Sequence, residues 1–253
     1  MKMQQILKDL LYERRYIFSS KYLRRKYNFN EIQAYRVLRR LVELGLIKKL
    51  WRGTYLVDEA FIRDIPYELV IDSFLRDQGY YFGLFHALSF WKLHDAIFQV
   101  HTVIVKNRAL SGKRISILGR ETQFIFISPK RFFGYVKAPY ASSLIQISDR
   151  EKTLLDTIYF LNKYSSFTDI CKAFHMGLKK FKLEKLIKYA IRFESETLVQ
   201  RLGYLLELFG VSDTKTLRAH IGKNYVPLNP KKPVEGFEKN PKWRIIVNDR
   251  CSI

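Results

Sequence analysis

Residues 33 to 52 carry eight side chains whose types suit a polyanion: Gln33, Tyr35, Arg36, Arg39 and Arg40, then Lys48, Lys49 and Arg52. Arginine presents a planar fork that takes guanine O6 and N7, or a phosphate, with two bonds. Gln33 offers a donor and an acceptor side by side and can pair with adenine in the same way. Ile32, beside them, can meet a thymine methyl. The lysines supply point charges for backbone phosphates. The competing reading is a solvated basic face on a small helical segment.

The elements that must position these groups are legible around them. Asn30 is a good helix N-cap, and Gln33 three residues later completes a capping box. The helix should run to about Leu44, with Gly45 as the stop. Ala34, Val37, Leu38, Leu41 and Leu44 form its apolar stripe. Ile47-Lys48-Lys49-Leu50-Trp51, an Arg52-Gly53 turn and Thr54-Tyr55-Leu56-Val57 then read as a short hairpin with a basic tip. Upstream, residues 3–13 predict a helix with Ile6, Leu7, Leu10 and Leu11 on its apolar face. Ser19 or Ser20 can cap a second helix, and Asn28-Phe29 turns into the third. Helices followed by a basic hairpin predict a winged helix-turn-helix, its third helix in the major groove and its wing on flanking backbone. Lys21, Arg24, Arg25 and Lys26 would lie near enough to add phosphate contacts.

The net charge of +21 on 253 residues favours polyanions, or an acidic protein partner. It is uneven: +9 over residues 1–58, +3 over 59–160 and +9 over 161–253. With 47% hydrophobic residues, most of the chain should fold. No uninterrupted apolar run reaches transmembrane length, and the N-terminus lacks a signal-peptide pattern, so a cytoplasmic protein without membrane partners is expected. Cys171 and Cys251 look too few and too distant for a disulfide framework or a zinc site.

The organisation expected is α+β: a winged helix over 1–58, an α+β middle domain with a mixed sheet over 59–161, and a basic helical region with a proline-containing tail over 162–253. In the middle, Pro66 starts a helix that Gly79 ends, and residues 80–93 read as a buried helix because they are apolar almost all round. His86 and His94 lie on or beside it, but no third ligand is spaced with them, so no metal is expected. Residues 98–105, 114–118, 123–128 and 144–147 read as strands. Ser148 and Glu151 read as a capping box before a helix buried through Leu154, Leu155, Ile158 and Leu161. Helices then follow around Ile170, Cys171 and Phe174, around Leu183, Leu186, Ile187 and Ala190, and from Leu198 to Phe209. Lys179, Lys180, Lys182, Lys185, Lys188 and Arg192 form either a solvated face or a second surface for a polyanion or protein partner. Trp243 and Ile245 should pack the tail on the body.

Enzymatic patterns are weak. No Asp-x-Asp pair exists to hold magnesium for nucleotidyl transfer. Asp95 with Glu121-Thr122-Gln123 matches a metal-dependent nuclease only loosely, because Gln replaces the lysine. There is no nucleophile elbow, and Gly112-Lys113-Arg114 is not a phosphate loop. The expectation is therefore a non-enzyme without a cofactor, the rivals being a ligand-sensing or dimeric transcription factor and a metal-dependent nuclease.

Four landmarks resemble the AbiEi family of antitoxins, the transcriptional-regulator half of AbiE-type (type IV) phage-defence toxin–antitoxin systems. They are Gly45-Leu46-Ile47 with Arg52-Gly53-Thr54-Tyr55-Leu56; Leu84-Phe85-His86-Ala87-Leu88 with Leu93-His94; Phe132-Phe133-Gly134 with Ile147 through Asp156; and Arg201 through Glu207 with Tyr225-Val226-Pro227-Leu228 and Trp243 through Asn248. Trp91-Lys92-Leu93 departs from the family, which often has glycine before that leucine. The resemblance implies autorepression by an N-terminal domain that binds double-stranded DNA in its own promoter. It also implies neutralisation of a nucleotidyltransferase-like toxin, without requiring a stable complex.

Overall fold

In the computed structural model, which describes residues 3–96, 99–141 and 143–251, the chain opens with α1 (Met3–Tyr12). Ile6, Leu7 and Leu10 fall on one face of α1, and that face is buried. Next come β1 (Ile17–Ser19), α2 (Ser20–Tyr27), α3 (Glu31–Glu43), β2 (Ile47–Trp51) and β3 (Thr54–Val57). The Ser19 hydroxyl accepts from the Tyr22 N–H and starts α2, and Asn28 ends it in the left-handed region at φ +53°. Asn30 and Gln33 cap α3 reciprocally. Its buried residues are Ala34, Leu38 and Leu41; Leu44 is 45% exposed because the helix has ended before it. The described strands order as β1-β3-β2, all antiparallel, with Gly53 at φ +72° making the hairpin turn.

The middle of the chain supplies α4 (Tyr67–Leu75), β4 (Tyr80–Phe82), α5 (Phe85–Phe90), β5 (Val100–Val105), β6 (Arg114–Ile117), β7 (Arg120–Phe126), β8 (Tyr135–Tyr140) and β9 (Ser143–Ser148). Among the described residues these strands form one mixed sheet in the order β6-β7-β5-β4-β9-β8. The β4/β9 and β5/β7 pairs are parallel and the others antiparallel. The fold is therefore α+β with a mixed sheet.

Three local readings are corrected here. Residues 80–93 are not one helix: Tyr80–Phe82 is a central strand, and only Phe85–Phe90 is helical. An all-round apolar run fits a buried strand as well as a buried helix. The strand β8 was not foreseen; it lies at the sheet edge, where Lys137 and Pro139 are tolerated. The strand expected over 98–105 is seen from Val100, and Phe98 lies outside the described residues.

The sheet separates two apolar cores because successive side chains alternate faces. Tyr80, Phe82, Val103, Val105 and Phe124 join the core that holds Ile6, Leu10, Leu38 and Leu56. Tyr81, Ile104 and Ile125 join the core of the C-terminal helices. Those helices are α6 (Arg150–Tyr159), α7 (Phe167–Gly177), α8 (Leu183–Arg192) and α9 (Glu196–Leu208). The cap of α6 is Asp149, whose side chain accepts from the Lys152 N–H, and not Ser148. Ser148 is instead buried in β9 and shares a hydrogen bond with Thr153 at 2.8 Å.

The last segment is more structured than an extended tail. Its strands β10 (Val226–Pro227), β11 (Lys239–Asn240) and β12 (Ile245–Ile246) order as β10-β12-β11. Trp243 and Ile245 are fully buried, as expected. Trp243 lies so close to α9 that a Cβ at Gly203 would overlap its ring. Contrary to the sequence reading, Cys171 and Cys251 form a disulfide, their Cα atoms 5.5 Å apart. A separation of 80 residues is no barrier once the final segment folds back over α7. No described helix is long and apolar enough to cross a membrane.

Candidate functional site

The outer face of α3 carries Ile32 and Tyr35, 63% and 65% exposed, with Arg36 exposed between their turns. Large apolar groups left in solvent beside a cation are characteristic of contact surfaces. Gln33 is also exposed, but its Oε1 accepts from the Asn30 N–H at 3.0 Å, which leaves the amide nitrogen to face outward. Arg39 and Arg40 both reach Glu43, at 2.9 and 3.3 Å. The hydrogen bond from Arg39, then that from Arg40, holds the Glu43 carboxyl below its usual pKa. These pairs are exposed, so they hold little free energy and can open for a stronger anion.

The hairpin splits its cations. Lys48 pairs with Glu59, whereas Lys49 and Arg52 are exposed and make no ion pair among the described residues. Of the α2 cations, Arg24 bridges to Glu31 of α3 at 2.6 Å and Lys26 reaches Asp9 of α1 at 3.9 Å. Lys21 and Arg25 instead line a cleft of about 670 Å³ with Arg15, Trp51 and Lys113. Arg36, Lys49, Arg52, Lys21 and Arg25 are thus the cations here without an internal carboxylate among the described residues. Cations left free in this way are available to an external anion.

The six C-terminal cations do different things. Lys185 lies 3.0 Å from both Asp149 and Glu151. Burial opposes its charge, yet the hydrogen bonds it donates to Glu151 and Asp149 raise its pKa. Lys180 donates to the Lys92 carbonyl at 2.9 Å, and the Arg192 guanidinium stacks 4.2 Å from the Phe133 ring centre. Lys179, Lys182 and Lys188 are exposed. Half of the group therefore stitches α8 and its approach to the body.

Sequence reasoning missed two buried polar clusters. Lys152 and Asp156, one turn apart on α6 and fully buried, form an ion pair beside Tyr81, whose hydroxyl donates to Asp156 at 2.9 Å. Burial pushes Lys152 down and Asp156 up, against the pull of each partner. Lys152 Nζ also lies 4.7 Å from the Phe193 ring centre. The visible signal was a lysine and an aspartate at helical spacing amid Leu154, Leu155 and Ile158.

The second cluster corrects the statement that His86 has no third ligand. His101 of β5 brings its Nδ1 to 2.9 Å from that of His86, and Glu68 of α4 lies with them. They border a cavity of about 480 Å³ with Arg120 and Tyr140. Burial, then the charge of His101, holds His86 down to about 3. Burial, then the Glu68 carboxylate that its hydroxyl faces, pushes Tyr140 up to about 12. His94 borders the same cavity but is held by other groups, accepting from the Ala96 N–H at 2.9 Å and lying 3.3 Å from Asp169. The loose nuclease pattern is not assembled by its own contacts: Asp95 pairs with Lys172 at 2.6 Å and Glu121 with Arg114 at 2.9 Å.

No family model and no curated protein matches the chain. Among solved structures it is similar to the crystal structure of the RV2827C protein from Mycobacterium tuberculosis. The likeness has a TM-score of 0.50 at 13% identity and covers 96% of this chain and 89% of that one. It is a likeness of fold.

Proposed function

We propose that the chain binds double-stranded DNA sequence-specifically through an N-terminal winged helix, and that it is an AbiEi-like antitoxin that represses its own operon. The observation that supports this reading is the succession α1-β1-α2-α3-β2-β3 with its β1-β3-β2 sheet, which leaves Ile32, Tyr35 and Arg36 in solvent on a capped helix. In this reading α3 enters the major groove, where Arg36 and the free amide nitrogen of Gln33 meet base edges. Tyr35, Arg39 and Arg40 lie along the same groove wall. Lys48, Lys49 and Arg52 hold phosphates from the wing.

Neutralisation of a nucleotidyltransferase-like toxin is the second half of the proposal. It rests on the family resemblance of the middle and C-terminal landmarks. The exposed lysines of α8 and its approach, Lys179, Lys182 and Lys188, are the surface offered for the toxin or for further DNA.

The test is a titration of the full chain on its own upstream DNA and on scrambled DNA, at two salt concentrations. A preference for the upstream DNA that persists as salt rises supports base readout. Equal binding that collapses with salt assigns the affinity to net charge alone and removes the repressor reading. Co-expression with the product of the adjacent reading frame tests the antitoxin half: rescue of growth supports it, and unchanged toxicity rejects it.

A further inference from the structure

We propose that Glu68, His86 and His101 form a binding site for a divalent transition-metal ion, with open coordination positions facing the adjoining cavity. The three residues come from α4, α5 and β5, and each offers one ligand atom within 4.8 Å of the others. No local spacing could have joined them; the sheet does so by placing β5 beside β4, from which the chain passes into α5.

The donor set selects the ion. Imidazole nitrogens suit zinc, iron, nickel and copper, whereas magnesium and calcium take oxygen ligands. Two histidines and one carboxylate occupy one face of a coordination sphere and leave the remainder open. The two Nδ1 atoms, 2.9 Å apart, match neighbouring positions around an octahedral ion, which are roughly 3 Å apart for ligand bonds of about 2.1 Å.

The surroundings hold these ligands in place. The Tyr67 ring packs 4.7 Å from His101, and the Phe82 ring 4.4 Å from His86. Glu68 is 2% exposed, and its Oε2 has no hydrogen-bond partner among the described residues. Such a buried oxygen is costly unless something satisfies it, and a cation does so. Arg120 lines the same cavity, so a bound ion would leave the cavity positive and suited to an anionic exogenous ligand.

The test uses Zn²⁺ alone, titrated into the full chain by calorimetry, and Co²⁺ alone, followed by visible absorption. The expected result is one zinc per chain, with affinity falling roughly tenfold or more in each of His86→Ala, His101→Ala and Glu68→Gln. The cobalt bands should disappear in the same variants. A control lacking the exposed histidines, His175→Ala with His220→Ala, should bind as the parent does. Glu68→Gln preserves side-chain size and keeps the test valid if a histidine variant unfolds. Absence of saturable zinc binding to the parent overturns the proposal and leaves a hydrogen-bonded histidine pair. So does zinc binding that all three variants retain, or that only the exposed histidines support.

Discussion

Replacing Lys152 with Met should expose the energetic role of the ion pair beneath α6. The side chain has no solvent exposure, and its partner Asp156 has none either. Removing one member of a buried pair leaves the other charge uncompensated, which costs about 3–5 kcal/mol. Replacing both, as Lys152→Met with Asp156→Leu, should cost less than either single change, because no charge then remains in the core. The pH dependence provides an independent check. Without Lys152, burial raises the Asp156 pKa in the folded state. The folded variant then keeps a proton that the unfolded chain loses above its own pKa of about 4. Stability is therefore fully present below that unfolded value and falls as pH rises, by about 1.4 kcal/mol per unit until the folded pKa is reached. Urea unfolding of parent, single and double variants at pH 5 and pH 7 measures both effects. A single variant as stable as the parent at pH 7, or a double variant no better than the worse single, would refute the reasoning.

Three further outcomes are expected. Arg36→Ala should cost about 1–3 kcal/mol on cognate DNA and relax specificity, whereas Lys49→Ala should weaken all sequences alike and reduce the salt slope by about 1, both read by titration at several salt concentrations. Cys251→Ser should lower stability by about 2–4 kcal/mol, since the disulfide closes a long loop, and a reductant should bring the parent to the same urea midpoint. Gly203→Ala should destabilise by about 1–3 kcal/mol by overpacking against the Trp243 ring, read as a lower urea midpoint than the parent's.

The local grammar of the chain was readable without its structure. Ser19, the Asn30–Gln33 box and the glycines at 45, 53 and 79 mark turns and ends because capping and positive φ depend on near neighbours. The amphipathic stripes of α1, α3, α7 and α9 follow from the 3.6-residue period, and they located the faces these helices bury. Tyr80–Phe82 escaped because a strand buried on both faces carries no alternation. The cap of α6 was misplaced by one residue because Ser148 and Asp149 are both good caps, and only the pairing of β9 decides which is free to serve.

The exposed cations of α3 and the hairpin could likewise be named from their positions on a helix and a turn, since exposure there follows from periodicity. Which of them already hold a carboxylate could not, because Glu43 and Glu59 take them in ways set by side-chain reach. By itself, then, the sequence determined helix ends, turns, apolar stripes and the basic character of the first and last segments, all of which rest on contacts within a few residues. Only the tertiary structure brought Glu68, His86 and His101 together, joined Cys171 to Cys251 and buried Lys152 with Asp156 beside Tyr81. Those groupings depend on strand order and on how the final segment folds back, and no residue's immediate neighbours encode either.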